Sequence, residues 1–178
     1  MNISIIGAGY IGAKRAEVIV RLKEDRIVSI FDIDASKSKI LAKKVGSSAV
    51  ENIEDIFKNE TIDAVIIATV NSASAKLCLE AIRNKKNILC EKPLGLNYEE
   101  AKKVFEAAKK ARVLLKVGFN HRFHSAIIKA HDLVKKGAIG QLMYIRAVYG
   151  HGARKGYDLE WRMKKKFSGG GELLDQGV

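Results

Sequence analysis

ISIIGAGYIG, residues 3–12, decides how the rest of the chain is read. Ile3 to Ile6 is a short, largely β-branched apolar run of the kind that forms a strand covered on both faces, and a glycine turn follows it without a spacer. Beyond the turn, Ala13, Ala16 and Val20 recur at helical spacing. Gly7, Gly9 and Gly12 therefore stand between a strand and a helix, the context that gives GxGxxG physical meaning. The first glycine permits the tight turn, the second lets a diphosphate approach the backbone, and the third lets helix and strand pack closely. The N-terminus of the helix then offers free N–H groups and the positive end of its dipole to phosphate.

A second strand, Ile27 to Phe31, ends in Asp32, about 20 residues beyond the glycine turn, where an acid accepts hydrogen bonds from ribose hydroxyls and repels a 2′-phosphate. NAD is the expected cofactor, and Lys37 and Lys39 leave NADP open. Asp32 could instead serve as a turn or helix-capping residue, although Asp34 and Ser36 are placed for that role too.

The alternation of elements continues along the chain. Helical spacing covers 36–45, an apolar stretch runs from Ile53 to Phe57, and a strand is expected from Ala64 to Thr69. A helix over Ser74 to Arg83, a strand over Asn87 to Cys90, a helix opened by Asn97 with Glu100 as capping partner, and a strand over Val113 to Val117 follow. This order implies a doubly wound parallel α/β sheet of the Rossmann type over residues 1–119, with its crevice at the carboxyl ends of the strands, where Gly9, Asp32, Thr69 and Glu91 fall. A boundary is placed at Gly118 to Asn120. Residues 120–178 offer a helix from Ser125 to Lys136, a strand from Gln141 to Tyr149 and a glycine-rich charged loop, too little to complete a second α/β domain.

Composition bounds the function. The net charge of +12 comes from lysines scattered through the helices, without the aromatic-interleaved basic motif of a nucleic-acid binder, so no nucleic-acid partner is expected. A lysine-rich solvated surface is the expected reading of the charge, with attraction of an anionic small substrate such as a nucleotide sugar as a further alternative. Cys78 and Cys90 form neither a disulfide framework nor a metal knuckle, which suits a reducing cytoplasm. The apolar opening lacks the basic flank of a signal peptide, and no apolar run has the length of a membrane span. His121, His124, His131 and His151 lack carboxylate or cysteine partners at ligand spacing, so no metal is expected.

Cys90-Glu91-Lys92-Pro93-Leu94 is the second stretch that carries chemistry. Pro93 ends the strand ladder and turns the chain, which holds the Lys92 ammonium at the crevice mouth. There it can hydrogen-bond a substrate hydroxyl and steady a developing alkoxide; a surface lysine before a turn is the plainer alternative.

GAGYIG with Asp32, then ATVNSASAKLCLEAIRNKKNILCEKPLG, GFNHRF, GHGARKGYDLEWR and SGGGELLDQG, together resemble the Gfo/Idh/MocA family of sugar and cyclitol oxidoreductases along the whole chain. The resemblance implies a Rossmann domain followed by an α/β domain with an open sheet, incomplete here. Gly7, Gly9, Tyr10, Ile11 and Asp32 would hold the adenosine and diphosphate end of the cofactor, with Gly12 completing the turn. Thr69 and Asn71 would line the path to the nicotinamide, with Glu91 beside it. Lys92 and Asp175 match the catalytic lysine and acid, and Arg122 matches an arginine at the domain junction. His151 and Arg154 are candidates for contacting substrate phosphate or sugar. The family's catalytic histidine would come directly after Val178, so the chain is expected to be the N-terminal part of a longer enzyme, homo-oligomeric in full and impaired by itself. A non-catalytic dinucleotide-binding regulatory module is the alternative. The glycines at 169–171 are expected to bring the backbone close to the cofactor. Val70 and Ser74 depart from the family's usual proline and histidine at those places, and Lys85 replaces a common glycine.

Overall fold

Ile3 to Ile6 are all buried, as a central strand requires, and neighbouring side chains serve opposite faces of one sheet. The computed structural model describes residues 1–150, 155–171, 174 and 177. Its strands are β1 (Asn2–Ile6), β2 (Arg26–Phe31), β3 (Ser48–Ala49), β4 (Ala64–Ile67), β5 (Asn87–Cys90) and β6 (Leu115–Val117). They form one parallel sheet in the order β3-β2-β1-β4-β5-β6. Between them run α1 (Tyr10–Leu22), α2 (Ala35–Val45), α3 (Glu54–Phe57), α4 (Asn71–Arg83) and α5 (Tyr98–Ala111). The chain builds outward from β1 in one direction and from β4 in the other, so the crevice of a doubly wound sheet opens between their carboxyl ends.

Two apolar clusters cover the two faces. Ile3, Ile5, Ile27, Ile30 and Ile66 pack against Ala16 and Ile19 of α1 and Leu41 and Ala42 of α2. Ile6, Val65, Ile67 and Ile88 pack against Phe57, Ala81, Ile82, Val104 and Ala108. The split of Val65, Ile66 and Ile67 between the clusters is the period-two alternation of a strand. Ser4 and Ser29, buried in adjacent strands, satisfy each other through a 2.8 Å hydroxyl hydrogen bond. Cys78 and Cys90 are buried free thiols; hydrogen bonding to Cys90, together with burial, pushes the Cys78 thiol up.

The structure departs from the sequence reading in several places. Helix α4 begins at Asn71, not Ser74, and β3 is a short edge strand that periodicity did not single out. After β6 come a 3₁₀ turn at Asn120–Phe123, α6 (Ser125–Lys135) and, further on, α7 (Lys165–Ser168). The strand expected over 141–149 is absent: those residues are exposed and irregular. Their β-branched and aromatic side chains suit a strand, but a strand is held by a ladder, and these residues pair with none of the described strands.

Two adjacent lysines precede β5. Lys85 is exposed and holds φ +57, the left-handed conformation that glycine adopts without strain. Lys86 is only 6% exposed, and its ammonium donates to the carbonyls of Asn59 at 2.6 Å and Ile62 at 2.9 Å. Burial lowers its pKa, against the raising effect of Glu60 and Asp63. Replacing these neighbours should have opposite effects in urea unfolding. Lys85→Gly should gain about 0.5 kcal/mol, since relief of the left-handed strain slightly exceeds the entropy glycine loses. Lys86→Met should cost about 1–3 kcal/mol by leaving two carbonyls unsatisfied, with cofactor affinity unchanged because Lys86 lies at the far end of the sheet from the crevice.

Candidate functional site

The crevice begins at the β1 turn. Gly7 has φ +103, and a Cβ there would overlap the Ala68 carbonyl. At Gly12 a Cβ would overlap the carbonyl oxygen of Gly7, so α1 sits on the turn only because this position has no side chain. Gly9 differs: a Cβ built on it meets nothing within 4 Å. That open space, facing the start of α1, is where a diphosphate fits.

The helix termini support this. Helices α1 and α4, whose first residues line the crevice, have no side-chain cap and no acid in the first turn. By contrast α2 is capped by Asp34, and α5 by Asn97 with Glu99 and Glu100 in its first turn. The two termini aimed at the crevice thus keep their N–H groups and dipoles for a ligand.

Asp32 serves the turn from the end of β2. Its Oδ2 accepts the Ala8 N–H at 2.6 Å and its Oδ1 accepts the Asp34 N–H at 2.9 Å, which leaves lone pairs on both oxygens. Asp34, not Asp32, caps α2, while Asp32 takes the turn role through its bonds from the Ala8 and Asp34 N–H groups. Of the lysines that kept NADP open, Lys37 lines the crevice and pairs with Asp34 at 3.4 Å, and Lys39 pairs with Glu51 at 3.3 Å.

On the other side of the turn the crevice extends past β4 and β5 toward the 3₁₀ turn. Its volume of about 1420 Å³ exceeds the roughly 300–1,000 Å³ of an ordinary small-molecule site, enough for an extended dinucleotide and a second ligand. Gly7, Gly9, Tyr10, Ile11, Asp32, Thr69, Asn71, Glu91, Lys92 and Arg122 all line it; Gly12 is buried beneath the turn. The Lys92-Pro93 peptide bond is cis. Asn71 is 4% exposed, and its side chain donates to the Ser168 carbonyl at 2.9 Å, tying α7 back to the start of α4. Among the predicted residues, Asp175, His151 and Arg154 lie outside the described part of the chain. The glycines at 169–171 do not line the crevice; Gly169 turns against Leu96 in the loop after Pro93, where a Cβ would come within 2.9 Å of its side chain.

Sequence reading missed Arg15. Its Nε and Nη2 reach Oε1 of Glu91 at 2.7 and 2.5 Å, joining α1 to the end of β5 inside the crevice. The available signal was spacing, since Ile11 and Arg15 lie four apart on one helix face. Also missed were Tyr149, Tyr157 and Trp161, aromatic side chains on the far wall, where Arg162 stacks on the Trp161 ring at 4.7 Å. Among the described residues no helix is long and apolar enough to cross a membrane.

Comparison with known proteins agrees with this geometry. Residues 1–119 match the family model of an oxidoreductase family with an NAD-binding Rossmann fold, GFO/IDH/MocA, and residues 127–178 match the GFO/IDH/MocA C-terminal domain. An inositol 2-dehydrogenase of Rubrobacter xylanophilus is 32% identical over 81% of this chain and 42% of its own length. A 1,5-anhydro-D-fructose reductase of Ensifer adhaerens is 32% identical over 96% of this chain and 51% of its own. A levoglucosan dehydrogenase solved in complex with NADH and levoglucosan superposes with a TM-score of 0.86 at 26% identity, over 99% of this chain and 50% of its own. The chain spans about half the length of the curated relatives it matches.

Gly9→Asp separates binding from folding. The new side chain enters open space, at φ −71 and ψ −171, and can cap α1, so stability should hold or rise by about 1 kcal/mol. Its charge occupies the place of the diphosphate, so NAD affinity measured by calorimetry should fall at least about tenfold.

Proposed function

The chain belongs to the Gfo/Idh/MocA family of oxidoreductases, and on that premise we propose that it forms the nucleotide-binding part of an NAD-dependent enzyme acting on a ring hydroxyl of a sugar, nucleotide sugar or cyclitol. The observation that carries the proposal is that the Gly7–Gly12 turn, Asp32 and Lys92 meet in one crevice, although they come from three different strand ends. NAD, when bound, supplies the group that takes up or gives back a hydride.

The residues of the chain divide the remaining work. Gly9 and the first turn of α1 hold the diphosphate through backbone N–H groups and the helix dipole. Asp32 accepts from the ribose hydroxyls of the adenosine end and disfavours a 2′-phosphate there. Thr69, Asn71 and Glu91 continue the crevice toward β5, and Arg15 keeps the Glu91 carboxylate in place. Lys92 hydrogen-bonds the substrate hydroxyl and lowers the cost of removing its proton, with Asp175 as its proposed partner. Arg122 lies on the substrate side, and Tyr149, Tyr157 and Trp161 provide flat apolar faces suited to a sugar ring. The names of the relatives, an inositol dehydrogenase and a levoglucosan dehydrogenase among them, support a polyhydroxylated ring as substrate.

Two measurements test this reading. Calorimetric titration should give tighter binding of NAD than of NADP, and Asp32→Ser should narrow the gap; equal affinities in the unaltered protein would remove Asp32 from cofactor selection. In the intact enzyme, Lys92→Met should lower kcat by about 10²–10⁴-fold with NAD affinity nearly unchanged. A variant that keeps its kcat would exclude Lys92 from the proton transfer.

A further inference from the structure

The Arg15–Glu91 pair sits where a charge has particular consequences. Asp32 closes β2 and the glycine turn closes β1, so a dinucleotide with its diphosphate on the turn and its adenosine at Asp32 directs its other end past β4 toward β5. Glu91 is the first residue after β5, and its N–H is anchored on the Ile67 carbonyl at 2.9 Å. Its side chain is 15% exposed and that of Arg15 is 28% exposed, so both charges are partly withdrawn from water. The carboxylate is fixed from two sides. Arg15 holds Oε1 through Nε and Nη2, while Oε2 lies against the backbone of Gly118, where a Cβ would come within 2.7 Å of it. An exposed pair of this kind does little for stability, but a fixed pair lining a crevice shapes the field that a ligand meets.

Oxidised and reduced NAD share every charged group except one, the positive nicotinamide ring of the oxidised form. Protein charges near that ring therefore act on the oxidised form and much less on the reduced one. We infer that Arg15 and Glu91 form a charge-balanced pair that sets the relative affinity of the crevice for oxidised and reduced cofactor, with Arg15 as the positioning residue for Glu91. This rests on the proposal that NAD binds here with its nicotinamide toward β5. With both charges present the pair is close to neutral. Glu91 without Arg15 attracts the oxidised ring, and Arg15 without Glu91 repels it. Lys92 adds a constant positive charge nearby and cancels from comparisons among variants of the pair.

The test is calorimetric titration of the 178-residue chain with NAD⁺, NADH and ADP-ribose, which lacks the nicotinamide. Arg15→Met should tighten NAD⁺ relative to NADH by roughly threefold or more, the scale of one unit charge across a partly screened crevice. Glu91→Gln should move the ratio in the opposite direction. The double variant should return it near the starting value and Arg15→Lys should hold it there, with ADP-ribose affinity measuring whatever part of each change is common to both cofactor forms. If Arg15→Met fails to fold, Glu91→Gln and Arg15→Lys still fix the sign. An unchanged ratio throughout, or a shift in the same direction for both single variants, overturns the inference and leaves NAD binding standing. A chain that binds none of the three ligands overturns the NAD reading and this inference with it.

Discussion

The contact between α1 and the β1 turn is the constraint on which the site depends. With no side chain at Gly12, the first turn of the helix settles onto the Gly7 carbonyl, and this close approach aims the N–H groups of α1 along the crevice. Any larger residue would push the helix out and move its dipole away from the ligand. Asp32 reinforces the arrangement by holding the Ala8 N–H, so a carboxylate that lines the crevice also braces the turn at its mouth. The cofactor selection proposed for Asp32 and the geometry of the turn are therefore coupled through one carboxylate.

Electrostatic satisfaction is distributed unevenly over the fold. Helices α2 and α5 are completed by their own caps, whereas α1 and α4 begin at the crevice with their first N–H groups uncapped by any side chain. A cap on α1 would stabilise the free protein and compete with the ligand. Its absence fits a terminus completed by binding, because the desolvation and dipole energy left over in the free protein becomes available to an anion.

The doubly wound sheet was legible because local signals agreed with each other: apolar strands, the glycine turn, Asn97 with Glu100, and an acid at the end of β2. The shared crevice position of Gly7, Gly9, Asp32, Thr69, Glu91 and Lys92 was legible for the same reason, since these residues follow strand ends, positions that chain order alone identifies. Arg15 was not, because its role arises from a partner 76 residues away, and its spacing from Ile11 places it on a helix face without separating it from a solvated helix arginine. Lys86 escaped for the opposite reason. Its neighbourhood reads as a charged turn, yet the chain folds its stem inward and gives its ammonium two carbonyls. The missing strand over 141–149 shows where propensity fails: side chains can favour extended backbone, but a ladder requires a second strand.

The overall charge of +12 is a poor guide to the crevice itself. Several of the cations that line it already have acids beside them: Arg15 has Glu91, Lys37 has Asp34, and Arg162 has Glu160. The surplus of lysine is carried on the outer faces of helices, where water and salt screen it. A diphosphate entering the crevice is thus recognised chiefly by backbone N–H groups at the start of α1, which have fixed direction and no side-chain entropy to lose. Recognition of this kind is directional, so the proposed site would hold a dinucleotide in one orientation whatever the net charge of the chain.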